Sequence, residues 1–360
     1  MTQQIPTLTY LQMDGTLKAP VSIEDALVLK CYRTMVKTRL VDERMITLQR
    51  QGQISFALSS LGEEAAAVGS AAALEIGDWL YPQYRELGVL FYRGFSIEDY
   101  VHHMFGDASD LIKGRQMPNH FGSRELNVVT VSSPIATKIP HAAGSAYAMK
   151  LQGEKTVSVC YFGEGATSEG DFHAGLNFAA VRKAPAIFFC RNNGYAISTP
   201  VKDQFASDGI APKALGYGIE ALRIDGNDLF AVYLATKKAR ELCLSGKGPV
   251  LIEAMTYRLG AHSTSDDPTR YRKEEEVLQA KEKCPIQRLR LYLKKKGLLL
   301  EEEKLIETVQ NEITEALVSV KKTPRPPISS LFENVYFSMP QKLKEQQNAC
   351  SLFFEENKNA

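Results

Sequence analysis

A Gly163-Glu164-Gly165 turn and an Asn192-Asn193 pair, separated by residues 166–191, carry the densest chemistry in the chain. Glycine on both sides of an acid lets the backbone approach an anion, and a helix start behind it would offer unpaired N–H groups and the positive end of its dipole to a phosphate. The acid itself would repel a phosphate unless a divalent cation sat between the two charges. Glu164 therefore argues for Mg²⁺ bridging protein and diphosphate. The side-chain oxygen of Asn193 and a nearby backbone carbonyl, such as that of Tyr195, suit the near-octahedral oxygen shell that magnesium demands. Two other phosphate loops are excluded. A dinucleotide fingerprint would need glycine where Ser168 stands, and the Gly-Lys-Ser/Thr of a Walker loop is absent. The bland alternative is a glycine-rich turn with an unrelated Asn pair in a hairpin.

The elements that must position these residues follow from periodicity. Thr156 to Phe162 is an apolar, β-branched and aromatic run, and Ser168-Glu169 opens a helix whose face is Phe172, Leu176, Ala179 and Ala180. After Pro185 a second apolar run, Ala186 to Cys190, completes a βαβ unit. Further strands are expected at Ile219–Ile224 and Pro249–Met255, with Asp228 capping a helix over Leu229–Leu244. Ser22, as an N-cap, opens a long helix to about Arg50, and shorter helices span Gly62–Leu74, Ser96–Phe105 and Ile139–Met149. Such alternation predicts a doubly wound, mostly parallel α/β sheet flanked by helices, with ligands at the carboxyl ends of the strands. Residues 1–21 read as an extended N-terminal arm, 22–272 as the α/β domain, and 273–360 as a helical C-terminal segment packing on that domain and on a partner subunit. Within that last segment Glu274–Lys296 and Glu301–Lys322 read as helices, and another lies near Pro340–Phe353.

Lys+Arg 43 against Asp+Glu 42 leaves a net charge of +1, so bulk charge makes no case for nucleic acid or membrane binding. Six cysteines without a C-x-x-C pair read as reduced thiols, with Cys160 and Cys190 inside the two central strands. No basic-then-apolar segment precedes residue 30 and the first twenty residues are not Arg-rich, which gives the expectation of a cytoplasmic, bacterial protein. Two loops are polar enough to line a cleft, Gly114–Arg124 with His120, and Arg258–Arg272 with His262. Local sequence leaves Arg85 open between a surface charge and a phosphate ligand, and His262 between a solvated and a catalytic histidine.

Gly163-Glu164-Gly165 with Asn192-Asn193 resembles the thiamine diphosphate motif usually written G-D-G, a spacer and N-N, with Glu in place of Asp. Matching runs extend the resemblance over nearly the whole chain: Ile54-Ser55-Phe56, Gly62-Glu63-Glu64, Gln83-Tyr84-Arg85-Glu86, Gly114-Arg115-Gln116-Met117-Pro118, Ser132-Ser133-Pro134, FFCRNNGYAIS ending at Ser198, and AHSTSDD from Ala261 to Asp267. They are similar to the α chain of the thiamine-dependent decarboxylase component of 2-oxo acid dehydrogenase complexes, branched-chain members above all. The resemblance implies that Glu164, Asn193 and the Tyr195 carbonyl bind Mg²⁺. Gln83, Tyr84, Arg85, Arg191 and His262 would contact the diphosphate, with Gly163, Gly165 and Ala166 in the same turn. Ser133 and the Ile135 backbone would lie near the aminopyrimidine, and Phe56 and Ile135 around the substrate side chain. His262 and His120 resemble the family's acid/base histidines.

It further implies decarboxylation of a 2-oxo acid, acyl transfer to a lipoyl-bearing transacylase, and an α₂β₂ heterotetramer whose β subunit supplies the glutamate that activates the cofactor. Two departures stand out. Lys138 replaces the Gln of a potassium site otherwise made from Ser132, Pro134 and Thr137, so its ammonium would stand in for the ion; the plain alternative is a surface lysine. Ser263 corresponds to a mammalian kinase site, whereas Lys273 takes the place of a second phosphorylated serine. The rival readings are a pyruvate- or acetoin-specific enzyme of the same kind and a non-catalytic scaffold.

Overall fold

The computed structural model describes residues 5–299 and 301–356; positions 1–4 of the expected arm, and 300 and 357–360 of the expected helical segment, lie outside it. Six parallel strands form the central sheet in the order β1 (Thr7–Leu8), β7 (Glu220–Asp225), β8 (Val250–Met255), β4 (Ala186–Asn192), β3 (Ser158–Gly163), β2 (Trp79–Tyr81), and β5 (Tyr195–Ala196) pairs with β6 (Thr199–Pro200) in a small hairpin. Because strand side chains alternate between faces, β3 sends Val159 and Tyr161 to one core and Cys160 and Phe162 to the other. Burial on both faces explains why β3 and β4 are apolar throughout rather than alternating.

The helices, in chain order, are α1 (Asp25–Arg50), α2 (Glu64–Ala72), α3 (Leu87–Arg93), α4 (Ile97–Phe105), α5 (Lys138–Gln152), α6 (Gly170–Arg182), α7 (Leu229–Leu244), α8 (Glu274–Glu282), α9 (Pro285–Lys295), α10 (Glu302–Lys322) and α11 (Gln341–Glu356). Helices α5 and α6 cover one face with Ala142, Ala143, Ala146, Phe172 and Leu176, while α2, α4, α7 and α10 cover the other. Gly175 permits the close approach of α6 to α5, since a Cβ there would sit 2.9 Å from the backbone nitrogen of Pro140. The strand order reverses between β4 and β8, and the carboxyl ends of β2, β3, β4 and β8 open towards the same crevice.

Several local expectations are corrected. The arm is tied rather than merely extended: Thr7–Leu8 adds a parallel edge strand to β7, and the Asp228 carboxylate accepts from the N–H groups of Tyr10 at 2.5 Å and Leu11 at 2.7 Å while also capping α7. Helix α1 starts at Asp25 behind Glu24, with no side-chain cap from Ser22. The helix expected over Glu274–Lys296 is two helices, because Pro285 lacks the N–H to continue the first turn and instead starts α9. Strand β2 and helix α3, three and seven residues long, are too short to show a period in the sequence. Between β3 and α6 a 3₁₀ turn, Glu164–Ser168, intervenes, so the α-helix proper begins at Gly170.

Candidate functional site

Around the carboxyl ends of these strands lies a cavity of about 390 Å³, and it gathers every residue expected at the site: Phe56, Gln83, Tyr84, Arg85, His120, Ser133, Ile135, Gly163, Glu164, Gly165, Ala166, Arg191, Asn193, Tyr195 and His262. The segment after β2 brings Gln83 to Arg85, the end of β3 brings Gly163 to Ala166, the end of β4 brings Arg191 and Asn193, and the loop after β8 brings His262. Leu58, Met117, Ala196, Ile197 and Arg258 also line it and were not expected.

At the acidic end, Glu164 is 1 % exposed and burial raises its pKa, opposed by hydrogen bonds that include the Asn193 N–H at 3.3 Å. Asn193 Nδ2 donates to Glu63 Oε1 at 2.8 Å, which fixes the amide, and its Oδ1 accepts from the Tyr195 N–H at 3.3 Å. Gly165 packs closely on the hairpin, since a Cβ at this position would lie 2.8 Å from the Cβ of Ala196, whereas a Cβ on Gly163 would meet open space. No cluster of three or more His, Cys, Asp or Glu suited to a metal exists among the described residues. A cation held by Glu164 would thus rely on the Asn193 amide, a backbone carbonyl and the ligand's own oxygens, a donor set of hard oxygens that fits Mg²⁺.

The charge of Arg191 is already engaged. Its Nη1 lies 2.9 Å from Glu63 Oε2 and its Nε 2.7 Å from Glu86 Oε1. Burial works against its charge, but Glu86 and Glu63 outweigh burial and leave its pKa raised. Glu86 Oε2 also accepts from the backbone N–H groups of Gln83 at 2.8 Å and Arg85 at 3.1 Å, so one buried carboxylate sets both the Gln83–Arg85 segment and the β4 arginine.

Arg85 and Arg258 make no ion pair with a carboxylate among the described residues. Arg85, 4 % exposed, donates to the carbonyls of Ser59 at 2.5 Å and of His262, and its Nη2 lies 3.2 Å from His262 Nδ1. Arg258 donates to the carbonyl of Ile197 at 2.8 Å and more distantly, at 3.4 Å, to that of Tyr195 and to His262 Nδ1. A guanidinium only donates, so His262 Nδ1 is the acceptor and its proton resides on Nε2. Burial, then Arg85 and Arg258, push the imidazole pKa down to about 3. The second histidine is neutral by a different route. His120 Nδ1 faces the Pro118 carbonyl at 3.1 Å and so carries the proton, its Nε2 accepts from Ser133 Oγ at 2.9 Å, and burial lowers its pKa. Both polar atoms of the Gln83 amide are buried with no partner, as expected of a group that awaits a ligand.

Lys138 stands outside this lining. It is 2 % exposed, and its ammonium donates to the carbonyl of Pro82, the residue before Gln83. Burial lowers its pKa to about 8. The recorded partner is thus the carbonyl that precedes the cofactor segment, not one of the expected Ser132, Pro134 and Thr137 ligands.

Of the missed residues, Arg258 opens the polar loop already singled out, and Glu63 and Glu86 sit in runs that resemble the family. Their roles had no sequence signal, because pairing across the 128 positions between Arg191 and Glu63 is a property of the fold.

Residues 32–329 match the family described as the dehydrogenase E1 component. Curated relatives include the mitochondrial 2-oxoisovalerate dehydrogenase subunit alpha of Dictyostelium discoideum, 49% identical over 95% of this chain and 79% of that protein. The human protein of the same name is 50% identical over 90% of this chain and 74% of its own length, and subunit alpha 1 of Arabidopsis thaliana is 45% identical over 96% and 74%. These relatives overturn the expectation of a bacterial cytoplasmic protein, since each is a mitochondrial protein of a eukaryote. With a family match spanning most of the chain and relatives near one-half identity, the fold and the cavity at its strand ends belong to a known lineage: the chain is a member of the dehydrogenase E1 component family.

Proposed function

We propose that this chain is the α subunit of a mitochondrial 2-oxo acid dehydrogenase that decarboxylates a branched-chain 2-oxo acid on thiamine diphosphate and passes the acyl group to a lipoyl-bearing transacylase. The observation that carries the reading is the charge lining one cavity: buried Glu164 beside the Asn193 amide, and two arginines, Arg85 and Arg258, that make no ion pair with a carboxylate among the described residues. A diphosphate with Mg²⁺ matches both the acid and the arginines. Arg191 orders the carboxylates around it rather than supplying free charge.

Glu164, Asn193 and the Tyr195 carbonyl would hold the metal, and Gln83, Tyr84, Arg85 and His262 the diphosphate, with Ser133 and Ile135 near the far ring. When bound, thiamine diphosphate supplies the carbon nucleophile and the electron sink for decarboxylation. This chain's own contribution is to orient and to handle protons. His262 offers its Nε2–H as a donor while Arg85 and Arg258 keep the ring neutral, and His120 holds Ser133 in place through Nε2. Phe56, Leu58, Met117, Ile135 and Ile197 give the wall an apolar character suited to a branched aliphatic side chain.

The relatives are named as alpha subunits, which supports a second subunit completing the site. The test is steady-state kinetics of the chain assembled with its β subunit. Each buried methylene contributes about 0.8 kcal/mol, so kcat/KM for 2-oxoisovalerate should exceed that for pyruvate. A pyruvate value at or above it would move the substrate assignment to the pyruvate-specific reading.

A further inference from the structure

The hairpin that carries the Tyr195 carbonyl is held in an unfavourable shape. Ile197, in its turn, has φ of 55°, a left-handed conformation that a β-branched side chain rarely adopts. Such a residue persists only when its surroundings over-determine it. On one side Arg258 grips the backbone through the Ile197 carbonyl at 2.8 Å. On the other side the grip comes from α8. Glu276 accepts from the Tyr195 hydroxyl at 2.9 Å and 3.1 Å through its two oxygens, and from the Tyr257 hydroxyl at 2.8 Å. The rings of Tyr257 and Tyr271 lie 6.4 Å and 5.8 Å from that of Tyr195, so the half-buried ring is flanked by both while its hydroxyl is fixed. Helix α8 buries none of its residues, and packing alone does not explain its placement.

We infer that Glu276 is a positioning residue for the metal end of the site: it fixes the Tyr195 side chain, and through it the strained turn and the carbonyl that would face Mg²⁺. It touches neither cofactor nor substrate. The inference rests on the proposed function, and its effect belongs to metal-dependent binding rather than to the chemical step. Outer partners of metal ligands typically contribute about 10- to 100-fold in metal affinity.

The experiment is calorimetric titration of thiamine diphosphate into the enzyme assembled with its partner subunit, at a series of Mg²⁺ concentrations, with thermal unfolding of each variant recorded. Glu276→Ala should raise the half-saturating Mg²⁺ concentration about tenfold. Glu276→Gln, whose amide oxygen still accepts from both hydroxyls, should remain near the wild type. Tyr195→Phe should reproduce the alanine effect, and the double variant should be no worse than either single one. Additive effects, or a Gln variant as poor as the Ala variant, would overturn the inference. If the wild type binds cofactor in a Mg²⁺-dependent way and Glu276→Ala equals it, the inference fails alone; if the wild type shows no such binding, the proposed function fails with it.

Discussion

Between Arg85 and Arg258, His262 can accept a hydrogen bond at Nδ1 but gains nothing from a positive charge. Its pKa of about 3 lies below the ordinary 6.5 because burial and the two guanidiniums disfavour the imidazolium. The sign of the linkage follows. The neutral ring's contribution to stability is complete above about pH 6.5 and is lost as pH falls from there towards 3. Urea unfolding at pH 7.5 and at pH 5 should therefore show a smaller loss for His262→Asn than for the wild type. Equal losses would mean that the histidine is not buried against the arginines. The same residue shows why a loop histidine is ambiguous in sequence: nothing near position 262 announces Arg85, which lies 177 positions away.

Among the elements, α5 is the one whose first residue does unusual work. Lys138 occupies a helix N-terminus, where the dipole disfavours a cation, and is buried there with the Pro82 carbonyl as its acceptor. Burial leaves its pKa at about 8, below the usual 10.5, so the ammonium costs stability at neutral pH and is kept for what it holds: the end of β2, where the Gln83–Arg85 segment begins. We propose that this covalently attached charge does the work of a bound potassium ion, through the Pro82 carbonyl rather than through Ser132, Pro134 or Thr137. The wild-type assembly should accordingly be indifferent to exchange of K⁺ for Na⁺, whereas Lys138→Gln should make its unfolding temperature and cofactor affinity potassium-dependent. A wild type that already needs potassium, or a Gln variant indifferent to it, would refute the substitution. The surface-lysine reading is excluded by burial of the side chain.

On the scale of the whole molecule, the parallel sheet delivers the ends of four strands to one cavity, and two of the three buried carboxylates around it are matched to a cationic partner within this chain. Glu63 and Glu86 hold Arg191, while Glu164 accepts only from neutral donors among the described residues, which suits the metal role proposed for it. Among the described residues the one acid that lines the cavity is Glu164, to which the metal role is proposed, which leaves no second lining acid to activate the far ring of the cofactor. The chain by itself should therefore show no 2-oxo acid decarboxylation above background in a ferricyanide-coupled assay, and activity should appear on mixing with its β subunit in equal amounts. Turnover by the isolated chain would contradict a site divided between two polypeptides.

Sequence alone determined what depends on neighbours along the chain. The apolar runs of β3 and β4, the Asp228 cap of α7 and the Gly-Glu-Gly and Asn-Asn turns are all short-range features, and each was legible from residue type and spacing. Short elements such as β2 and α3 carried too little period to be read, and Pro285 divided a helix whose charge pattern ran on unbroken. Only the tertiary structure decided which charges are spent and which are free. Arg191 and Arg85 look alike in sequence, yet one is held by two carboxylates and the other by carbonyls and a neutral imidazole. The same holds for Lys138, read from sequence as either a surface charge or an ion substitute, and for Arg258, which the sequence shows only as the first residue of a polar loop. The reason is physical: the state of a buried charge is set by the groups that desolvate it and face it, and those groups arrive from strands and helices far apart in the chain.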